Sequence, residues 1–189
     1  NLIIAAMLTA LGILIPMMMP VKLIIGPASF TLAAHVPVMA AMFFSPLMTA
    51  FVALGTTLGF MISIPVPTIW LRALMHLPVM TVGAYVLKKH PEFVHQKVKI
   101  QIFNFILGIF HAGLETLVVY AFYSLGFANI EQGALLNFLL LIALGGLVHS
   151  MIDFNLAFGL GNVLSKAFPI DIFDKAKNLV NKKKVKAEI

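Results

Sequence analysis

The chain has no cysteine, one tryptophan and only seven acidic residues in a length of 189. Without a thiol there is no disulfide framework, no cysteine nucleophile, no cysteine-ligated zinc and no thiol redox switch. Charged residues supply 11% of the chain and hydrophobic residues 61%, against roughly 25% and about 45–50% in soluble domains. Helices of this composition are apolar on every side, which excludes a water-soluble enzyme and a disordered tail protein. Enzymatic motifs are missing as well. There is no Gly-x4-Gly-Lys-Ser/Thr phosphate loop, so the chain does not hydrolyse ATP by itself. His-Glu-x-x-His and Gly-x-Ser-x-Gly are absent too, and the two halves show no inverted repeat. Energy for any transport must come from a partner or a gradient.

What is present is long apolar runs. A membrane helix needs about 20 apolar residues. Breaking the chain at its Pro, Gly and charge clusters predicts an all-α integral membrane protein. It is a bundle of six transmembrane helices over residues 2–18, 30–44, 47–62, 68–87, 100–123 and 135–168. Residues 1–168 are thus the membrane domain, and 169–189 are expected as a solvated basic cytoplasmic tail. The sixth run exceeds the thickness of a bilayer, so it must tilt, protrude or kink, with Gly145-Gly146 as the expected kink point. The first run lacks a charged leader and a small-x-small cleavage site, so it does not read as a signal peptide. A short piece is expected ahead of Asn1.

Lysine placement orients the bundle. Of 13 basic residues, 11 fall between spans four and five or at and beyond the end of span six. The remaining two are Lys22, in the first outer loop, and Arg72, inside a span. The positive-inside rule therefore places both termini in the cytoplasm.

Ionisable groups inside a membrane are costly and point to function. Here they are His35, Arg72, His76, His111, Glu115, His149 and Asp153. Six of them form i,i+4 pairs, Arg72/His76, His111/Glu115 and His149/Asp153, and each pair shares one helix face. Counting depth along each span at about 1.5 Å per residue predicts two groups. An outer one contains Arg72, His35, His76, His111 and Glu115. An inner one contains His149 and Asp153, expected to hydrogen-bond with Asn104.

The outer group suits a small anionic solute, because Arg72 can grip a carboxylate bidentately and the histidines donate or accept. Asn137 and Gln132 are expected to close that site from above, with Trp70, Tyr120 and Tyr123 near the outer interface. The plainer alternative is that Arg72 and Glu115 only pair with each other. The His-x3-Glu and His-x3-Asp spacings also suit metal ligands, so a divalent metal carrier or intramembrane metalloprotein is the alternative function. Neither pair makes a metal site alone, and their differing depths argue against pooling them, so no metal site is expected. Two stripes of small residues, Ala6-x3-Ala10 and Gly55-x3-Gly59, allow close helix approach within the bundle or with a partner.

These features together resemble the substrate-binding S component of an energy-coupling factor (ECF) vitamin transporter. The resemblance rests on the roughly 20 kDa six-span plan and on Ala6-Met7-Leu8-Thr9-Ala10. It also rests on the run from Gly26 to Pro37, on Leu54–Phe60 and on Val148–Phe154, and it covers about residues 1–168. The resemblance implies high-affinity capture of a vitamin from outside, beneath outer loops one, three and five. Toppling of the subunit then releases the vitamin inside. It also implies docking of a transmembrane T component at Ala6 and Ala10, with two cytoplasmic ATPases that bind the ATP. No cofactor and no enzymatic activity are expected of this chain, and no nucleic acid. The location implied is a bacterial plasma membrane. Arg72 and the histidines favour an acidic vitamin, with pantothenate ranked narrowly ahead of niacin.

Overall fold

A computed structural model describes residues 2–25, 28–127 and 131–187. Gly26 and Pro27, part of the segment compared above, lie outside it. The first helix, α1 (Leu2–Met18), leads into a hairpin of β1 (Lys22–Ile25) and β2 (Ala28–Thr31), paired antiparallel with Lys22 opposite Thr31. A short helix, α2 (Val36–Ala41), follows, then α3 (Pro46–Ser63), α4 (Pro67–Leu74) and α5 (His76–Lys89). After a 3-10 turn at Pro91–His95 come α6 (Lys97–Ser124), α7 (Gln132–Ala167) and α8 (Asp171–Ala187). Among the described residues, four stretches are long and apolar enough to cross a membrane: α3, α4 with α5, α6 and most of α7. The apolar helix α1 is shorter, at 17 residues.

Local chemistry explains these boundaries. The Ser45 hydroxyl accepts from the Met48 N–H, and Pro46 occupies the first turn, so α3 starts there. Within the expected fourth span, Pro78 has no N–H and its ring crowds the carbonyl of residue 74. The chain accordingly divides into α4, ending at Leu74, and α5, starting at His76. At the end of α6, Gly126 adopts φ +78°, and the Phe127 N–H bonds the Phe122 carbonyl at 2.9 Å. That left-handed cap needs glycine. Lys22, the first residue of β1, donates to the Pro16 carbonyl at the end of α1 (3.2 Å).

The second expected span differs from its prediction. Residues 30–44 begin in β2, turn at residues 32–35 and contain only the six-residue α2. Ala33 in that turn has φ 62°, a conformation L residues rarely hold. Val38, Met39 and Ala41 of α2 are fully buried, and α2 packs on α1, α3 and α7. Wrapped in protein, this segment does not need the length that lipid exposure would demand.

Small residues hold α1 to α3. A Cβ built on Gly59 would lie 2.6 Å from the Ile13 Cα and 2.8 Å from its carbonyl oxygen, and Gly12 and Gly55 are similarly tight against Thr56 and Thr9. Because the obstacle at Gly59 is backbone, Gly59→Ala is expected to cost about 1–3 kcal/mol, read as a lower Tm in detergent. Gly113→Ala is the control, since a Cβ there meets nothing within 4 Å. Equal melting of the two variants would refute this packing. Ala6 and Ala10, by contrast, are exposed on the far side of α1.

Below the middle of the bundle lies an aromatic layer of Phe43, Phe103, Phe154, Phe158 and Phe173, with neighbouring ring centroids 5.5–6.4 Å apart. Phe173 belongs to α8, and Ile172 and Ala176 of the same helix are also buried. The segment after residue 168 therefore starts as a helix packed against the 3-10 turn and the bundle, which the solvated-tail expectation did not foresee.

Candidate functional site

Above the aromatic layer, seven ionisable side chains meet inside the bundle. The break before His76 lets α4 and α5 each aim one residue inward, and Arg72 and His76 are both buried. From α6 come His111 and Glu115, and from α7 come His149 and Asp153. The turn that opens α2 supplies His35.

Two carboxylates organise the cluster. Glu115 Oε2 accepts from Arg72 Nη2 at 2.9 Å, while Oε1 faces His111 Nε2 at 3.5 Å and His76 Nε2 at 4.0 Å. Asp153 accepts from two backbone groups, the Ala33 and His35 N–H, each at 3.1 Å. Its Oδ2 also lies 3.2 Å from His35 Nδ1 and 3.6 Å from His149 Nε2. The His35 ring joins the two halves, with its centroid 4.4 Å from that of His76, 4.9 Å from His111 and 4.7 Å from His149. Buried charges in such a setting are tolerable because each carboxylate is paired and hydrogen-bonded.

The hairpin covers this cluster. Phe30 of β2 stands edge-on to His149 at 5.9 Å, and Arg72 Cζ lies 5.9 Å from the Phe30 ring centre. Gly145 admits that ring, since a Cβ there would come within 3.0 Å of Phe30 Cζ. The space enclosed by Thr31, His35, Arg72, His76, Glu115 and His149 is about 10 Å³, close to the minimum for one water.

The structure brings together Arg72, His76, His111, Glu115 and His35, as the depth count grouped them, and it adds His149 and Asp153. The expected separate inner group is therefore corrected. The helix α7 has 36 residues, about 54 Å of rise, so depth counted from its first residue misplaces everything on it. Asn104 does not partner His149 or Asp153. Its amide donates to the Met151 carbonyl at 3.2 Å and toward Gln101 at 3.4 Å, tying α6 to α7. Asn137 is exposed and sits twelve residues before His149, about 18 Å along the helix, so it is not brought to the cluster. Trp70 is half-buried against Ala34, Phe60, Ile69 and Ala73, which themselves line the enclosed space, but it does not line that space itself. The Gln132 side chain lies outside the described part of the chain. Thr31, Phe30 and the backbone of Ala33 were missed, because a turn held by a distant carboxylate has no local sequence signal.

What this arrangement can do is bind a small polar solute away from water. Among its described residues no serine nucleophile stands hydrogen-bonded to a base. No family model matches the chain, and no solved structure matches it. One curated protein, the niacin transporter NiaX of Lactococcus lactis subsp. cremoris (strain MG1363), is 99% identical over 189 residues, 100% of this chain and 85% of that protein. With that identity over its whole length, the chain belongs to the niacin transporter family of ECF S components.

Proposed function

We propose that this chain captures niacin from outside the cell as the S component of an ECF importer. The observation that carries the reading is the enclosed cluster of Arg72, Glu115 and four histidines, roofed by Phe30, inside an otherwise apolar bundle. Niacin in water is a flat aromatic carboxylate, which suits a site of imidazole rings and a guanidinium. The name of the near-identical Lactococcus protein supports niacin over pantothenate, so the order expected from the sequence is reversed. Admission of niacin in this reading moves Phe30 and the hairpin outward, and His35, His76, His111, Arg72 and Glu115 contact the vitamin.

The rest of the reading concerns topology and partners. Six segments cross a bacterial plasma membrane, with α2 as the short second one, and both termini lie in the cytoplasm. A transmembrane T component docks on the exposed Ala6/Ala10 face of α1, and two ATPases bind the ATP. A metal carrier is not favoured as the function, since the relative is named for a vitamin.

Calorimetry on the detergent-purified chain tests the substrate. Stoichiometric niacin binding that pantothenate does not compete away is expected, and a folded chain that ignores niacin would refute the reading. Ala6→Trp with Ala10→Trp is expected to leave niacin binding intact while abolishing co-purification of the T component. Unchanged co-purification would move the docking face elsewhere.

A further inference from the structure

His35, His76, His111 and Glu115 each offer a ligand atom, and these atoms lie within 4.8 Å of one another. Three imidazoles and one carboxylate, all buried and drawn from the turn before α2, from α5 and from α6, form a donor set that zinc and neighbouring divalent transition metals take. We propose that this quartet holds one divalent transition-metal ion and that niacin completes the ion's coordination. The second half rests on the niacin reading above; the first half does not.

Four observations converge on an ion. Both ring nitrogens of His76 and both of His111 are buried with no hydrogen-bond partner, and ligation would satisfy one nitrogen of each ring. The enclosed space of about 10 Å³ holds an ion or a water but not a pyridine ring. The spacing is also close to that of a bound site. His111 Nε2 and Glu115 Oε1 are 3.5 Å apart, near the roughly 3.4 Å between ligands of a tetrahedral ion with bonds of about 2.0–2.1 Å. His76 Nε2, 4.0 Å from the same oxygen, needs only a small approach. Finally, the Asp153 carboxylate is fixed by two backbone N–H groups, and its Oδ2 lies 3.2 Å from His35 Nδ1. A carboxylate standing next to a ligating histidine steadies the ring.

Charge supplies the link to niacin. Arg72 and Glu115 neutralise each other, and Asp153 leaves one negative charge in excess while the imidazoles are neutral. Nicotinate would add a second buried negative charge, which is costly. A dication turns the excess positive, and one nicotinate then brings the cluster to neutrality. Depth counted along the sequence placed His35, His76, His111 and Glu115 in the outer group, and the His-x3-Glu spacing made a metal the alternative function there.

The test uses the detergent-purified full chain, freed of any purification tag and stripped with chelator, and Co²⁺ as the probe. One Co²⁺ per chain is expected, with the visible absorption of a tetrahedral site, displaced by Zn²⁺ and shifted by added niacin. The stripped chain is expected to bind niacin at least 10-fold more weakly until metal is restored. His76→Gln and His111→Gln, checked for folding by thermal unfolding, should lose the cobalt spectrum, while the wild-type titration stands without them. Niacin bound equally tightly by stripped and loaded chains would overturn the proposal, because a proton and not a metal would then supply the charge. A folded chain that binds niacin but no Co²⁺ would overturn it too. Co²⁺ bound tetrahedrally without any niacin binding would uphold the metal site and overturn both its link to niacin and the niacin reading.

Discussion

Arg72→Ala is expected to destabilise the bundle by about 3–5 kcal/mol, because it leaves the buried Glu115 carboxylate without its guanidinium partner. The pair it breaks is 2.9 Å long and almost fully enclosed. Thermal unfolding in detergent measures the loss. Adding Glu115→Gln to the same chain removes the carboxylate charge, so the double variant should recover most of the lost stability. It should not recover niacin binding, since both members of the pair belong to the proposed site. This separation of folding from binding decides between two roles. If the double variant binds niacin as well as the wild type does, the pair only fastens α4 to α6 and takes no part in recognition.

Asp153→Ala should act just as strongly but in a different place. It removes the acceptor of the Ala33 and His35 N–H groups, and each orphaned buried donor costs about 1–3 kcal/mol. The left-handed turn at Ala33 then has nothing to hold it. Hydrogen exchange is expected to rise through β1, β2 and the turn before α2, and niacin affinity to fall at least 10-fold, while the core of α3 stays protected. Asp153→Asn keeps the shape and one acceptor oxygen, so it should fall between the two. Unchanged exchange in the hairpin of Asp153→Ala would show that the roof is held by Phe30 packing alone.

The helices were largely legible because their ends are written in proline, glycine and lysine. Leu2–Met18 was read to the residue, and Ser45-Pro46 marked the start of α3. The hairpin and the short α2 were not legible, since Phe30–Phe44 is as apolar as any span and its turn is secured by Asp153, more than a hundred residues away. Pro78 was in plain view, yet hydropathy alone carried the fourth span through it. The i,i+4 pairs were visible as pairs on one face each. Depth counting brought the first two pairs together but set His149/Asp153 apart, because it assumes that every helix starts at the membrane surface, and α7 is too long for that. Buried packing of α8 escaped for a related reason: its apolar residues are few, and its lysines dominate the composition.

The division of the fourth span at Pro78 has a mechanical consequence. Arg72 and His76 sit four residues apart, yet they ride on two short rods joined where a backbone hydrogen bond is missing. A joint of that kind bends more easily than an unbroken helix. Movement of the linker at residues 64–66 is therefore delivered first to Arg72 through α4. His76, anchored on α5 among fully buried neighbours such as Met80 and Ala84, stays behind as a fixed reference. The site thus has one arm that follows that linker and one that does not.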